Sequence, residues 1–442
     1  MGKKRIKIIT KGPISITTRK PYGQFYETLN YIPAKTLRGA FAQSLLNNCN
    51  LPASDLQQQV RCLDCSHEVQ NNCDFYNMIV KEEMVKFGDC YAVNPTSIGD
   101  THIAIPRILP ATAVSCKYYP GFITGYDYYC ELKIVKIKDE EYHGVFDLLV
   151  KQIVYDESAF PNYVFNPECL QSQCDSIIEP FSGHYQMFPG TNGNIYFNWN
   201  SKMRRFGRSA LNRKTWSAQE NMLYSVQSIA EENVFLGEIE ISDELNDDVV
   251  DKALCNLESL SNIGGQSSRG LGDVWIRIDK DYQPSTFPLE CRIQKFNHII
   301  DETRGCNIDK VYFTIDLQSD TILKGKLNEP TIQLGEEMLK NHLKSVDNQF
   351  DDKRFNEYKI KLERSYSSAS YVGGWSTAWN LPKYIQLATA KGSVFLFSAS
   401  KIDDLLCQSL ELLEQKGIGE NREEGFGKVS ICEQFHLEVE PK

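Results

Sequence analysis

Two stretches of this chain carry the same glycine pattern, and each lies where an apolar helical spacing gives way to a strand. Residues 417–427 read Gly-Ile-Gly-Glu-Asn-Arg-Glu-Glu-Gly-Phe-Gly, and residues 262–272 read Asn-Ile-Gly-Gly-Gln-Ser-Ser-Arg-Gly-Leu-Gly. Each has an apolar residue and a glycine, five residues that include an arginine, then glycine, an apolar residue and glycine. Each also runs into a valine two residues on, Val429 or Val274. A coincidence of this length is improbable, so the chain contains a duplication.

The surroundings repeat as well. Upstream of the first copy, Val234 to Ile241 alternates as a half-buried strand does, and Val249, Val250, Ala253, Leu254, Leu257 and Leu260 recur at helical spacing. Upstream of the second, Val394 to Phe397 predicts a strand, and Ile402, Leu405, Leu406, Leu410 and Leu413 predict a helix. Strands are predicted downstream from Val274 to Ile278 and from Val429 to Val439. Strand, helix, glycine loop and strand therefore occur twice, which implies two homologous α+β units.

This order excludes the usual nucleotide-binding loop, in which the glycines follow a strand and open a helix so that its amides face phosphate. No Gly-Lys-Ser/Thr follows either copy. What remains is a run of backbone amides that can approach an anion, because glycine lacks a side chain and tolerates positive φ. A tight helix-to-strand turn that needs glycine for geometry alone is the competing explanation, and the matched duplication weighs against it.

Gly417 to Gly427 resembles the signature loop of the RAMP superfamily, the RNA-binding proteins of CRISPR systems; the first copy departs by placing Asn262 where the opening glycine belongs. Tyr31 to Ala42 resembles the segment that opens the first helix of these proteins, and Ala210 to Ala218 resembles another of their stretches. Gly373-Gly374-Trp375, with Leu381-Pro382-Lys383 and Gly392 to Phe395, looks like the double-RAMP subunit of type III-D effector complexes. The resemblance is weakest between about 285 and 365. It implies an α+β fold of two ferredoxin-like, RRM-like domains, residues 1–285 with a cysteine-bearing insertion around 49–200, and residues 286–442. It further implies CRISPR guide RNA as partner, held at its repeat-derived 5′ handle. The large polymerase-like subunit and backbone RAMP subunits would be neighbours, and target RNA would be met only indirectly.

Charge complicates that picture. The 442 residues include 58 acidic and 48 basic side chains, a net charge of −10, which is the wrong sign for binding nucleic acid by bulk electrostatics. Any RNA site must be local. Lys202, Arg204, Arg205, Arg208, Arg213 and Lys214 occur without an acidic residue among them, with Phe206 and Trp216 interleaved. Cations neutralise phosphates while aromatic rings offer stacking faces to unpaired bases; a solvated basic loop is the plainer alternative. A second candidate is the start of the helix after Pro33, where Lys35, Thr36 and Arg38 flank exposed first-turn amides. The first glycine loop is the third, offering Gly264, Gly265, Gln266, Ser267, Ser268 and Arg269 to an anion. The second loop carries Glu420, Glu423 and Glu424 around Arg422, and is expected to serve structure or a protein contact.

No run of eighteen apolar residues is present to span a membrane, and the basic start passes directly into an alternating strand; a cytoplasmic location is the expectation. The 14 cysteines are then not expected to form a disulfide framework. Cys62, Cys65, His67 and Cys73 form a Cys-x2-Cys pair with a third cysteine and a histidine nearby, suited to one structural zinc ion, with Cys49 or Cys90 as alternative fourth ligands. Cys169 and Cys174, with Cys116, form a second, less complete group. Catalysis is not expected. In the family, target-cutting subunits use an aspartate just before the first helix, but Gly12 to Arg38 holds only Glu27 as an acidic residue, and the seven histidines are scattered.

Overall fold

The computed structural model describes residues 2–17, 25–47, 65–71, 73–81, 84–94, 104–123, 142–158, 165–171, 174–190, 193–211, 214–216, 218–284, 287–305, 310–376 and 381–438. They form a mixed α/β protein with several antiparallel sheets. The first large sheet is built from β1 (Gly2–Thr10), β2 (Val85–Phe87), β3 (Val234–Ile241) and β4 (Val274–Asp279), in the order β4-β1-β3-β2, with Tyr91–Val93 also paired along β3. Strand β1 alternates as its sequence requires: Ile6 and Ile8 are fully buried, and the lysines between and beside them are not. Two helices supply the rest of this core, α1 (Ala34–Asn47) through Leu37, Phe41 and Leu45, and α2 (Asp247–Glu258) through Ala253, Leu254 and Leu257. Asn246 caps α2 by accepting from the Asp248 amide at 3.1 Å, and Asp247 and Asp248 place negative charge in its first turn.

The second large sheet follows an additional helix, α3 (Leu289–Arg304). It comprises β5 (Val311–Leu317), β6 (Lys361–Tyr366), β7 (Val394–Ala399) and β8 (Val429–Ile431), in the order β6-β7-β5-β8. Read from the last strand, this is the arrangement of the first sheet: last, first, third, second. Its helices are α4 (Glu336–Val346) between β5 and β6, and α5 (Asp404–Lys416) between β7 and β8. Both faces of β5 are covered, which is why six of its seven residues are buried.

The strand expected from Val429 to Val439 stops at Ile431. Cys432 has φ 47°, and Gln434–Leu437 form a short 3-10 turn. The bend lets consecutive side chains find different partners. Phe435 packs on Tyr185 and Tyr196, while the fully buried His436 bridges Asp147 (Nδ1, 2.6 Å) and Asp316 (Nε2, 2.8 Å).

Asp316 belongs to β5, whereas Asp147, Tyr185 and Tyr196 belong to the long excursion between β2 and β3. It contains a sheet of Ala113–Cys116, Val145–Asp147 and Ile178–Pro180, and a helix, Leu149–Asp156, whose Leu149, Val150 and Ile153 join the second core beside Ile293 and Phe296 of α3. Arg107 and Tyr185 of the same excursion bind Glu433, at 2.9 and 2.8 Å. The excursion thus packs on the second unit as well as the first. Among the described residues no helix is long and apolar enough to cross a membrane.

Candidate nucleic-acid interface

The basic segment is a strand. Met203–Leu211 pairs antiparallel with Ala218–Ile229 in a long hairpin, setting Arg204 opposite Ser228, Arg205 opposite Gln227 and Arg208 opposite Tyr224. Alternation places Arg204, Phe206 and Arg208 on one face and Arg205 on the other. The guanidinium of Arg204 lies 5.3 Å from the Phe206 ring centre and pairs with Glu231 at 2.5 Å. That of Arg205 lies 4.9 Å from the ring of Phe25, whose short strand, Phe25–Tyr26, adds parallel to the hairpin. Among the described residues no carboxylate pairs with Arg205, Arg208 or Arg269. Lys202 leads into the hairpin through its backbone, held by Asn233. Lys214 and Trp216 lie at the tip, where Trp216 is 85% exposed. Arg213 lies outside the described residues.

The first glycine loop joins this hairpin: Arg269 donates to the Tyr224 hydroxyl at 3.2 Å. Gln266 and Gly270 are left-handed, with φ 62° and 77°, on either side of a turn at Ser267–Arg269. Gly264 is needed for close approach, since a Cβ there would fall 2.7 Å from the Ser15 carbonyl, to which Gly265 donates at 2.9 Å. The amides of Gln266, Ser267 and Ser268 have no backbone acceptor among the described residues, and Gly264, Gly265, Ser267, Ser268 and Arg269 are exposed. Successive amides without a backbone acceptor, beside an arginine, are groups suited to an anion.

The second loop repeats the backbone nearly residue for residue. Asn421 and Gly425 are left-handed at φ 55° and 91° around a turn at Arg422–Glu424, and a Cβ on Gly419 would fall 2.5 Å from the Ile322 carbonyl. Its surroundings differ. Gly425 abuts Ala34 at the start of α1 and the Phe87 carbonyl of β2, and Glu424 pairs with Lys383.

Consequently the start of α1 faces protein. Asp89 accepts from the Ala34 amide at 2.9 Å, Lys35 donates to the Gly373 carbonyl at 2.6 Å, Arg38 donates to the Ile79 carbonyl at 3.0 Å, and the Thr36 amide bonds Pro33. Burial pulls the Lys35 ammonium below its usual pKa, with Asp89, Asp320 and Glu424 opposing that shift. Lys391 is lowered by burial too, and its ammonium sits 3.2 Å from the centre of the Tyr31 ring. Of the three expected RNA-facing groups, the structure brings the hairpin and the first loop together, sets Lys35 against Phe426 of the second loop, and bonds Thr36 and Arg38 to Pro33 and Ile79.

One surface cluster escaped the sequence reading. Trp275, 40% exposed on edge strand β4, is flanked by the Arg277 guanidinium at 4.6 Å and the Lys11 ammonium at 5.7 Å. Its signal was present: Trp275 and Arg277 alternate with the buried Val274 and Ile276, so both face away from the core.

Of the expected metal ligands, Cys62 and the side chain of His67 lie outside the described residues, whereas Cys65 and Cys73 are half-buried free thiols. The described residues that do bring metal-ligating atoms together are Cys116, His143, Cys169 and Cys174, all within 4.8 Å of one another. His143 completes the less complete group of the sequence.

No curated protein matches the chain. Among solved structures, a chain of the type III-B Cmr-beta complex bound to cognate target RNA and AMPPnP aligns with 92% of this chain and 93% of its own, at 12% identity and a TM-score of 0.33. A chain of a type IV-B CRISPR complex aligns with 65% of this chain and 94% of its own, at 8% identity and a TM-score of 0.27. Cas6 of Thermus thermophilus covers 45% of this chain and 75% of its own, at 9% identity and a TM-score of 0.26. At these scores the backbones superpose only loosely. The sequence model of the RAMP superfamily, however, matches residues 23–275, more than half of the chain and the whole stretch from Phe25 through the first glycine loop to β4, and the protein is a member of the RAMP superfamily.

Proposed function

We propose that this RAMP protein is a non-catalytic subunit of a type III CRISPR effector complex, of the III-D kind, that binds CRISPR guide RNA at the repeat-derived 5′ handle. The observation that carries the reading is the union of the basic hairpin with the first glycine loop. Among the described residues Arg205, Arg208 and Arg269 have no carboxylate partner; Arg208 shares a hairpin face with Tyr224, to which Arg269 donates, whereas Arg205 lies on the other face and the exposed Trp216 at the hairpin tip. An acidic protein that binds RNA needs such a local concentration of cations, and stacking faces beside them suit unpaired bases. Recognition of this kind reads phosphate and shape, leaving spacer sequence to base pairing.

We read the two large sheets as ferredoxin-like, because each has two helices and the strand order last, first, third, second. The acidic remainder of the surface is assigned to protein neighbours, the large polymerase-like subunit and the backbone RAMP subunits. One structural zinc ion belongs to the same reading as an element of the fold. The test is reconstitution of the effector with and without this subunit, together with direct guide-RNA binding by the purified chain. Retention of guide and normal assembly in its absence would overturn the proposal. Specific cleavage of guide precursor or target RNA by the purified chain would replace it with a nuclease.

A further inference from the structure

We propose that Cys116, His143, Cys169 and Cys174 form a tetrahedral site for one zinc ion that fastens the small sheet of the excursion. The sulfurs of Cys116 and Cys174 are 3.9 Å apart, and Cys169 Sγ lies 3.4 Å from His143 Nδ1. Zinc binds thiolate at about 2.3 Å and imidazole at about 2.0–2.1 Å, so tetrahedral angles require about 3.8 Å between two sulfurs and about 3.6 Å between sulfur and nitrogen. The observed separations match both. A disulfide would bring two sulfurs to about 2.05 Å, far inside the observed gap. Three cysteines and one histidine are also a donor set that selects zinc over the hard cations.

The surroundings are arranged as a ligand shell. Cys116 receives backbone hydrogen bonds from Tyr118 and Tyr119, and Cys169 receives one from Gln171, so loop amides help fix where both sulfurs point. The Tyr119 ring stacks on His143 at 4.4 Å, and the Tyr119 carbonyl accepts from the His143 amide at 3.0 Å, which fixes where the imidazole points. The topology converges as well. Cys116 ends the strand Ala113–Cys116, His143 stands two residues before Val145–Asp147, and Cys169 and Cys174 lie in the loop that leads to Ile178–Pro180. Three strands of one sheet thus bring ligands to the same end.

That sheet has reason to be cross-linked. Its strands are four, three and three residues long, and the apolar cluster at this sheet and its neighbours has seven buried members. Yet Asp147 and the helix after it attach the excursion to the second unit. A metal that orders this sheet therefore also sets that attachment.

Metal analysis of the purified full-length chain tests the site without reference to RNA. About one zinc per chain is expected to be lost in Cys169→Ser/Cys174→Ser and kept in Cys65→Ser/Cys73→Ser. Because the first variant can lose its fold together with its metal, the native chain is also exchanged into cobalt, where visible d–d bands with thiolate charge transfer report a tetrahedral Cys3His site. Cys169→His is expected to retain the metal. A native chain without metal would overturn the proposal. So would a Cys116–Cys174 disulfide, or zinc that stays in the first variant and leaves the second.

Discussion

Exchanging three arginines for glutamine, Arg205, Arg208 and Arg269, tests whether the hairpin and first loop hold phosphate. None of the three has a carboxylate partner among the described residues, so each is free to displace counterions from RNA. Single-stranded nucleic acid contributes a slope of about 0.7 in log affinity against log salt for each phosphate neutralised, so the triple variant should lose a slope of about 2. Between about 50 and 200 mM salt, that difference amounts to roughly a twentyfold smaller loss of affinity than the native chain suffers. Arg204 supplies an internal comparison. Its guanidinium is already paired with Glu231, so Arg204→Gln should change the slope by less than any of the other three, and Glu231→Gln should strengthen binding. Fluorescence anisotropy with labelled guide RNA across a salt series measures all of these, and thermal melting checks that the variants remain folded. A triple variant whose slope equals that of the native chain would refute the electrostatic reasoning, whatever its affinity at one salt concentration.

Trp216, almost free of the protein surface, should contribute stacking alone: Trp216→Ala is expected to weaken guide binding by about 1–3 kcal/mol, with an unchanged melting temperature. Two glycines with nearly equal φ separate backbone strain from crowding. Gly270→Ala meets open space at φ 77° and should cost on the order of 1 kcal/mol, whereas Gly427→Ala at φ 74° drives a Cβ into the Ile418 carbonyl and should cost several-fold more in denaturant unfolding. Burial opposes protonation of His436, but Asp316 and Asp147 outweigh it and hold its pKa well above 6.5. Stability from a raised pKa is complete below the unfolded value and fades as pH rises through the folded one. His436→Gln should therefore cost on the order of 3–5 kcal/mol near pH 6, with the gap closing at alkaline pH; a gap that widened there would contradict the assignment.

Much of the fold was legible because its signals are local. The alternation from Val234 to Ile241 gives a strand with those same ends, and the leucines from 405 to 413 fall within the helix Asp404–Lys416. What the sequence hid depends on groups brought from far along the chain. The sequence groups Cys116, Cys169 and Cys174 but not His143, because it reaches them only through the pairing of Val145–Asp147 with Ala113–Cys116. The basic segment gave no strand signal, since Arg204, Arg205 and Arg208 interrupt the apolar alternation of a half-buried strand, and its order comes from the partner strand Ala218–Ile229. The helix start at Pro33 had every local mark of an anion site. It takes Asp89 as its anion instead, and no local pattern announces a partner that far along the chain.

The two glycine loops show what their shared pattern encodes. Gly264 and Gly419 each admit a facing carbonyl, from Ser15 and Ile322, too close for a side chain, and Gly272 and Gly427 do the same against Ile263 and Ile418. Those contacts are identical in kind, so the glycines specify how a helix returns to its sheet rather than what the loop touches. Ligand chemistry resides in the five residues between them and in whatever covers those residues. The second loop carries the fuller glycine pattern, but α1 and β2 press on it at Gly425, and Glu420 and Glu424 pair with lysines. The first has the poorer pattern, yet its turn is open, uncharged except for Arg269, and tied to the arginine-bearing hairpin. The two loops share one turn, and the neighbours packed around each set them apart.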